Sequence, residues 1–394
     1  MIACASRLAT LFISALAVTL IAPHVSAQSN HPWTVPEIFA RGGSPTGDPP
    51  EGISWSPDGK RATWIDDQGN LMQIQPPDGS PKKLINGEKI APLLNAVISE
   101  QDRDHRNRYD EPDYIWAPDS NHLLFDTNGE LWLYDLKTVT GVQIGNTAMQ
   151  SGDDPKFSPN GQYVSYLRDH NLFVQRVDGS TPVLPLTTTR DDTVLNGGVD
   201  WVYLEELNVR SNYFWSPDSR QLAYLQMNEA SVPQYPLVDF IPVHAVVNEQ
   251  RYPQPGDPNP SVRVGVVGVN GGTTRWLKIP LESGNDYIPR LGWVNSHIVW
   301  VQTLSRNQQH ENLWFADVHT GEVKLVLAQT EPKYFNTTYD VTFVGDHQFL
   351  ILSWRDGFTH IYRYSFDPAN PLGTEAKLQN QLESGPYDVA AIKA

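Results

Sequence analysis

Two adjacent carboxylates, Glu205 and Glu206, follow a segment that is otherwise aromatic and apolar. Residues 200–206 read Asp-Trp-Val-Tyr-Leu-Glu-Glu. Neighbouring carboxylates repel each other, so a cation bound between them would stabilise the pair. A free α-amine has an ordinary pKa of about 7.7–8, and in its protonated form it suits such a pair through charge-assisted hydrogen bonds. The alternative is that the two glutamates lie in the first turn of a solvent-exposed helix, where the helix dipole stabilises acidic residues.

The spacing of this pair restricts the backbone that can present it. Consecutive side chains point to opposite faces of a strand and lie about 100° apart on a helix. Glu205 and Glu206 can therefore reach one ligand only from a helix end or an irregular loop. This predicts an insertion between strands.

A short motif, an aromatic residue followed by a turn, recurs along the chain. It occurs at residues 55–59, 116–120, 157–161 and 215–219, as in Trp-Ser-Pro-Asp-Gly, with weaker copies at 293–296 and 343–346. Pro presets φ for the turn, and Asp or Asn followed by Gly closes it. Apolar runs separated by polar turns follow each copy, which predicts antiparallel β-propeller blades.

The interval from Phe157 to Trp215 is longer than the roughly 40–45 residues of a minimal blade. It contains Glu205 and Glu206, in agreement with the predicted insertion. One helical pattern interrupts the repeat at residues 93–98, and the charged run 100–108 follows it. This stretch is either a solvated helix on the rim of a blade or a segment that directs an arginine into the cavity of the glutamates. In the second case Arg103, Arg106 or Arg108 would bind a substrate carbonyl or carboxylate, and Arg106 is the candidate.

Residues 1–27 have the pattern of an export signal. Arg7 supplies the positive charge, residues 8–22 are nearly all apolar, and Val-Ser-Ala at 25–27 fits a cleavage site. The apolar run is shorter than the ~20 residues that span a bilayer. We therefore expect a mature chain, residues 28–394, that is periplasmic or secreted and has no membrane contact after cleavage. The single cysteine, Cys4, lies in the signal, so no disulfide is expected.

The net charge of −16 argues against nucleic acid and anionic membranes as partners, but a cationic peptide terminus remains admissible. The histidines show no paired spacing such as His-Glu-x-x-His. No metal site and no cofactor are therefore expected.

Residues 200–206 and 214–240 resemble the N-terminal β-propeller of the dipeptidyl peptidase IV family of serine peptidases. The similarity continues through Gln-Arg-Tyr-Pro-Gln-Pro-Gly-Asp-Pro-Asn-Pro at 250–260 and Trp-Arg-Asp-Gly-Phe-Thr-His-Ile-Tyr at 354–362. The resemblance implies an eight-bladed all-β propeller followed by an α/β-hydrolase domain. It assigns to Glu205 and Glu206 the binding of a peptide's free N-terminus, which limits cleavage to one dipeptide, usually after Pro or Ala.

The sequence lacks the catalytic motif of that family. The reaction needs a nucleophilic serine on a Gly-x-Ser-x-Gly elbow, followed by Asp and His, and these 394 residues contain no such elbow. No catalytic residue is therefore assigned, and the chain alone is expected to be inactive. About six blade starts and the beginning of another are present, so we expect an incomplete propeller, truncated before the hydrolase domain.

Two classes of function follow from these observations. The chain is either the substrate-binding part of an exported dipeptidyl peptidase or a free-standing secreted propeller that binds peptides or a protein without catalysis. Members of the family are often dimers through contacts outside this region, and a homodimer of the full-length protein remains open.

Overall fold

The computed structural model describes residues 34–35, 52–66, 68–77, 79–94, 114–127, 130–144, 153–336 and 340–392. Residues 51–394 form one compact unit. The predicted export signal and Arg103, Arg106 and Arg108 lie outside the described residues. Within the described ranges, none of the helices has the length and apolar character needed to cross a membrane.

The described chain forms seven antiparallel sheets, and the six with four or five strands each form one blade. Blade 1 contains β1 (Ser54–Trp55), β2 (Ala62–Ile65), β3 (Leu71–Ile74) and β4 (Lys82–Ile85). Helix α1 (Gly87–Leu94) follows it and overlaps the predicted helical stretch. Blade 2 contains β5 (Tyr114–Trp116), β6 (His122–Thr127), β7 (Glu130–Asp135) and β8 (Thr140–Ile144). Blade 3 contains β9 (Asp153–Phe157), β10 (Tyr163–Arg168), β11 (Asn171–Arg176) and β12 (Leu184–Pro185).

Blade 4 has five strands and carries two insertions. Its strands are β13 (Val194–Asn196), β14 (Tyr213–Trp215), β15 (Gln221–Asn228), β18 (Ser261–Gly268) and β19 (Arg275–Leu277). Helix α2 (Trp201–Glu205) connects β13 to β14, and a separate hairpin of β16 (Gln234–Asp239) and β17 (Val246–Arg251) lies between β15 and β18.

The last two blades complete the described chain. Blade 5 contains β20 (Tyr287–Trp293), β21 (Ile298–Leu304), β22 (His310–Asp317) and β23 (Val323–Thr330). Blade 6 contains β24 (Thr342–Val344), β25 (Gln348–Ser353), β26 (His360–Ser365) and β27 (Lys377–Gln381). The predicted all-β propeller is thus confirmed.

The hydrophobic core lies between consecutive blades. On β6, Leu123 and Phe125 pack toward blade 1, whereas the intervening Leu124 packs toward blade 3, and all three are fully buried. Successive strand residues point to opposite faces, so a strand covered on both faces needs a continuous apolar run. This explains the apolar runs that follow each turn motif in the sequence.

Three of the recurring turns, those with a serine in second position, are closed by a side-chain hydrogen bond. Ser56 Oγ donates to Asp58 Oδ1 at 2.7 Å, and the equivalent bonds at Ser158–Asn160 and Ser216–Asp218 measure 2.8 and 2.7 Å. The last residue of each turn has a positive φ, which is +66° at Gly59 but +62° at a serine, Ser219.

That serine also joins two neighbouring blades. The Ser219 Oγ of blade 4 accepts a hydrogen bond from the Asn160 backbone N–H of blade 3 at 3.0 Å. The Ser120 Oγ of blade 2 accepts in the same way from the Asp58 N–H of blade 1 at 3.0 Å. These bonds offset the cost of a left-handed backbone at a residue other than glycine.

Candidate functional site

Helix α2 begins at an aspartate cap. Asp200 has an extended backbone, with φ −83° and ψ 173°, and its Oδ1 accepts a hydrogen bond from the Tyr203 backbone N–H at 2.9 Å. Only 5% of Asp200 is exposed, and this burial raises the pKa of its carboxyl to about 6, although the backbone N–H groups of α2 oppose the shift. The cap fixes the start of a helix that is too short to be stable by itself.

Tyr203 fastens α2 to blade 5. The side chain is 1% exposed, and its hydroxyl oxygen accepts a hydrogen bond from the Ile288 backbone N–H at 2.9 Å. Its ring meets that of Tyr287 edge-on, with 6.2 Å between the ring centres. Val202 is also buried. Because these side chains anchor the buried face of α2, the end of the helix is held in a fixed place.

The two glutamates occupy that C-terminal end. Glu205 is the last helical residue and is half-buried, whereas Glu206 is the C-cap and is exposed. The prediction that the pair lies at a helix end, within an insertion between strands, is confirmed. The alternative of an acidic helix start is wrong, because the first turn of α2 contains no acidic residue. The C-terminal end of a helix instead carries partial negative charge, so the backbone and the carboxylates both favour a cation there.

Two arginines hold the backbone on either side of the pair. The Arg210 Nη1 donates to the Leu204 carbonyl oxygen at 2.6 Å, and the Arg290 Nη2 donates to the Leu207 carbonyl oxygen at 3.0 Å. The Arg290 Nε also lies 2.9 Å from the Asp340 Oδ1. Burial lowers the pKa of Arg290, and the Asp340 carboxylate opposes that change. Sequence reasoning missed both arginines, since no motif marks them and Arg290 contacts a residue 83 positions earlier.

A buried carboxylate lies in the electrostatic range of Arg290. Glu311, on β22, is 7% exposed, and its Oε1 accepts a hydrogen bond from the Gln329 Nε2 at 2.8 Å. Burial raises the pKa of Glu311 to about 7, while hydrogen bonds from Gln302 and Gln329 and the charge of Arg290 oppose the shift. Burial therefore favours the protonated form of Glu311, close to the groups that hold the glutamate segment.

Across the described ranges, no three or more His, Cys, Asp or Glu side chains are placed to hold a metal ion. The site as described therefore consists of the two carboxylates at the end of α2 and the polar groups that fix that helix. Arg106, the sequence candidate for a substrate carbonyl, lies outside the described residues.

Residues 113–394 match the family model of the dipeptidyl peptidase IV N-terminal region. The chain belongs to the dipeptidyl peptidase IV family. Members with similar sequences include a probable dipeptidyl-aminopeptidase B of Talaromyces stipitatus, 28% identical over 387 residues, which are 83% of this chain and 42% of that protein. A probable dipeptidyl peptidase 4 of Emericella nidulans is 24% identical over 370 residues, 86% of this chain and 45% of that protein.

A solved structure of the same family has the same fold. The crystal structure of Porphyromonas gingivalis dipeptidyl peptidase 4 superposes with a TM-score of 0.71 at 24% identity, covering 86% of this chain and 48% of that one. The present chain thus spans about half the length of the dipeptidyl peptidases it matches. The matched half is the N-terminal region, which agrees with the lack of a Gly-x-Ser-x-Gly elbow in the sequence.

Proposed function

We propose that this chain is the substrate-gating and substrate-N-terminus-binding propeller of an exported dipeptidyl-peptidase-IV-like serine exopeptidase. The observation that carries the proposal is the position of Glu205 and Glu206 at the C-terminal end of α2. The full-length protein would release N-terminal X-Pro or X-Ala dipeptides. An α/β-hydrolase domain would supply the nucleophile, the general base and its acidic partner, and export would follow from the signal at residues 1–27.

The chemistry of the ligand follows from charge. A peptide α-amine is mostly protonated at neutral pH and has three N–H donors, so it can donate to both carboxylates at once. The carbonyl end of α2 adds partial negative charge in the same place. Because α2 is fixed by its aspartate cap and by Tyr203, the amine would be held at a fixed point, and the distance from there to the nucleophile would set the length of the released fragment.

The test compares two substrates of the full-length protein that differ only at the N-terminus. A peptide beginning X-Pro with a free amine is expected to lose its first dipeptide, whereas the N-acetylated peptide of the same sequence is expected not to react. Acetylation removes the charge and two of the three donors of the amine. Equal rates of dipeptide release from the two peptides would contradict the proposal.

A second proposal concerns the hairpin of β16 and β17, which favours a protein-binding role. In the described part of the chain these two strands pair only with each other. Exposed apolar side chains line the hairpin and its tip: Tyr235, Leu237, Val238, Phe240, Ile241, Val243, Val246 and Val247. Several exposed apolar side chains next to open strand edges are typical of a protein-interaction surface. We propose that a second copy of the chain covers it in a homodimer of the full-length protein.

Sedimentation velocity of the full-length protein tests this proposal. The wild type is expected to be a dimer, and replacing Phe240, Ile241 and Val243 together by Ser is expected to give a monomer. The matched control replaces Val139 and Val142, two exposed apolar residues of blade 2, and is expected to stay dimeric. A monomeric wild type, or a triple variant that remains dimeric, would contradict the proposal. A monomeric wild type would leave the binding of a different protein as the alternative role of the hairpin.

A further inference from the structure

A buried histidine in blade 6 faces oxygen atoms on both sides. His360, the first residue of β26, is 2% exposed. Its Nδ1 lies 2.9 and 3.1 Å from the two carboxylate oxygens of Asp356, and its Nε2 lies 3.1 Å from the Gly385 carbonyl oxygen. A neutral imidazole has one N–H and can donate to only one side. Both contacts are hydrogen bonds only when the ring carries two protons.

A second carboxylate supports the same protonation state. Glu383 Oε1 accepts a hydrogen bond from the Ile361 backbone N–H at 2.8 Å, and its Oε2 lies 3.7 Å from His360 Nε2. That Oε2 is buried and has no hydrogen-bond partner among the described residues. An imidazolium would thus lie between two carboxylates and balance part of their charge.

Gln381, Tyr387 and Arg355 complete the surroundings of the imidazole. The Gln381 Nε2 donates to Asp356 Oδ2 at 2.8 Å and lies 3.0 Å from His360 Nδ1. The ring of Tyr387 meets the imidazole edge-on, with 5.6 Å between the ring centres. Arg355 directs its guanidinium to Ser353, Tyr364 and Gln329. Burial lowers the pKa of His360, but the hydrogen bond and charge of Asp356 and the charge of Glu383 outweigh it and raise the pKa above its ordinary value.

The contacts of His360 join β26 to the segment that follows β27, residues 382–389. The Leu382 N–H donates to the Ile361 carbonyl oxygen at 2.9 Å, and the Val389 N–H donates to the Thr359 carbonyl oxygen at 2.8 Å. The Thr359 N–H in turn donates to Asp388 Oδ1 at 2.6 Å. These bonds lie on either side of the His360 contacts, so the imidazole is at the centre of the attachment.

We propose that His360 is a protonation-dependent latch that fastens segment 382–389 to β26 and to the turn at Asp356. When the Nδ1 proton leaves, its lone pair faces the Asp356 carboxylate, and the two carboxylates lose the cation between them. The Gln381 amide can then donate its second hydrogen to the Nδ1 lone pair. The attachment of segment 382–389 persists in this state but is weaker.

The direction of the pH dependence follows from linkage. A histidine whose folded-state pKa is raised stabilises the attachment fully below its unfolded pKa of about 6.5, and this contribution is lost as the pH rises through the folded-state value. Segment 382–389 is therefore held more tightly at mildly acidic pH than at alkaline pH. Each unit by which the pKa is raised corresponds to a roughly tenfold change in the opening equilibrium.

Hydrogen exchange of segment 382–389 in the full-length protein tests the latch, with protection corrected for the intrinsic exchange rate at each pH. Between pH 5 and 9 we expect protection to fall as His360 loses its proton. His360→Gln is expected to remove this dependence. The matched control is His347→Gln. His347 is an exposed histidine of the same blade, and its Nδ1 lies 2.6 Å from Asp346 Oδ1. This variant is expected to keep the pH dependence of the wild type. Protection that does not change with pH in the wild type, or that changes equally in His360→Gln, would overturn the proposal.

A second measurement does not depend on the folding of a histidine variant. The ¹³C-labelled ring signal of His360 in the folded wild type is expected to titrate above pH 6.5. Glu383→Gln keeps an acceptor for the Ile361 N–H, and it is expected to lower the midpoint of that titration. A wild-type midpoint below 6.5, or one that Glu383→Gln leaves unchanged, would contradict the latch. Neither measurement depends on the proposed peptidase function.

Discussion

In the full-length protein, Glu205→Gln or Glu206→Gln is expected to weaken productive binding of a free-amine peptide by about 2–5 kcal/mol, the range for breaking a hydrogen-bonded charge pair that has lost its water. This corresponds to roughly a 30- to 5000-fold loss of kcat/KM. Glutamine preserves the shape of the side chain and removes its charge. The ammonium then loses one of its two anionic partners and is desolvated without full compensation.

The matched control is Glu322→Gln, an exposed glutamate in the turn between β22 and β23, which should leave kcat/KM unchanged. Folding is checked by the urea midpoint, which is expected to stay the same in all three variants because neither Glu205 nor Glu206 belongs to the buried core. If either site variant folds normally and keeps wild-type kinetics, that glutamate does not bind the amine.

Tyr203→Ala is expected to lower the free energy of unfolding by about 3–5 kcal/mol, the usual cost of deleting a buried aromatic ring. Tyr203 is 1% exposed and packs in the core between blades 4 and 5. Tyr203→Phe separates the hydroxyl from the ring. It leaves the Ile288 N–H without its acceptor and is expected to cost about 1–3 kcal/mol.

Urea unfolding of the three proteins measures both effects, and Tyr334→Phe, at an exposed tyrosine, is the control with no expected change. A Tyr203→Phe variant as stable as the wild type would show that the hydroxyl does not fasten α2 to blade 5. In the full-length protein we also expect Tyr203→Phe to weaken the binding of free-amine peptides more than that of acetylated ones, because α2 loses a point of attachment near the glutamates.

The sequence was informative where physical constraints are local. Two consecutive carboxylates can converge only at a helix end or in a loop, and α2 provides that end. The turn at residues 55–59 combines a proline, a serine that donates a hydrogen bond to the following aspartate, and a glycine with positive φ. Each such five-residue motif therefore predicts one blade. The long interval before Trp215 similarly indicated the insertion in blade 4.

The contacts that position the site could not be predicted in this way. Tyr203 meets Ile288 and Arg290 meets Leu207 across 85 and 83 residues, and such contacts are set by how one blade docks on the next. His360 belongs to a strand, and its burial between Asp356 and Glu383 arises from the return of the chain after β27. The hairpin of β16 and β17 was likewise not separated from blade 4 by sequence pattern alone.

A thermodynamic cycle tests most directly the claim that Glu205 and Glu206 bind the substrate's N-terminus. It combines N-acetylation of one peptide with the double substitution Glu205→Gln and Glu206→Gln, and it measures the affinity of the four combinations for the full-length protein. We predict that the double substitution weakens the free-amine peptide strongly and leaves the acetylated peptide almost unaffected. An equal loss for the two peptides would contradict the account, because the glutamates would then contribute to binding without contacting the amine.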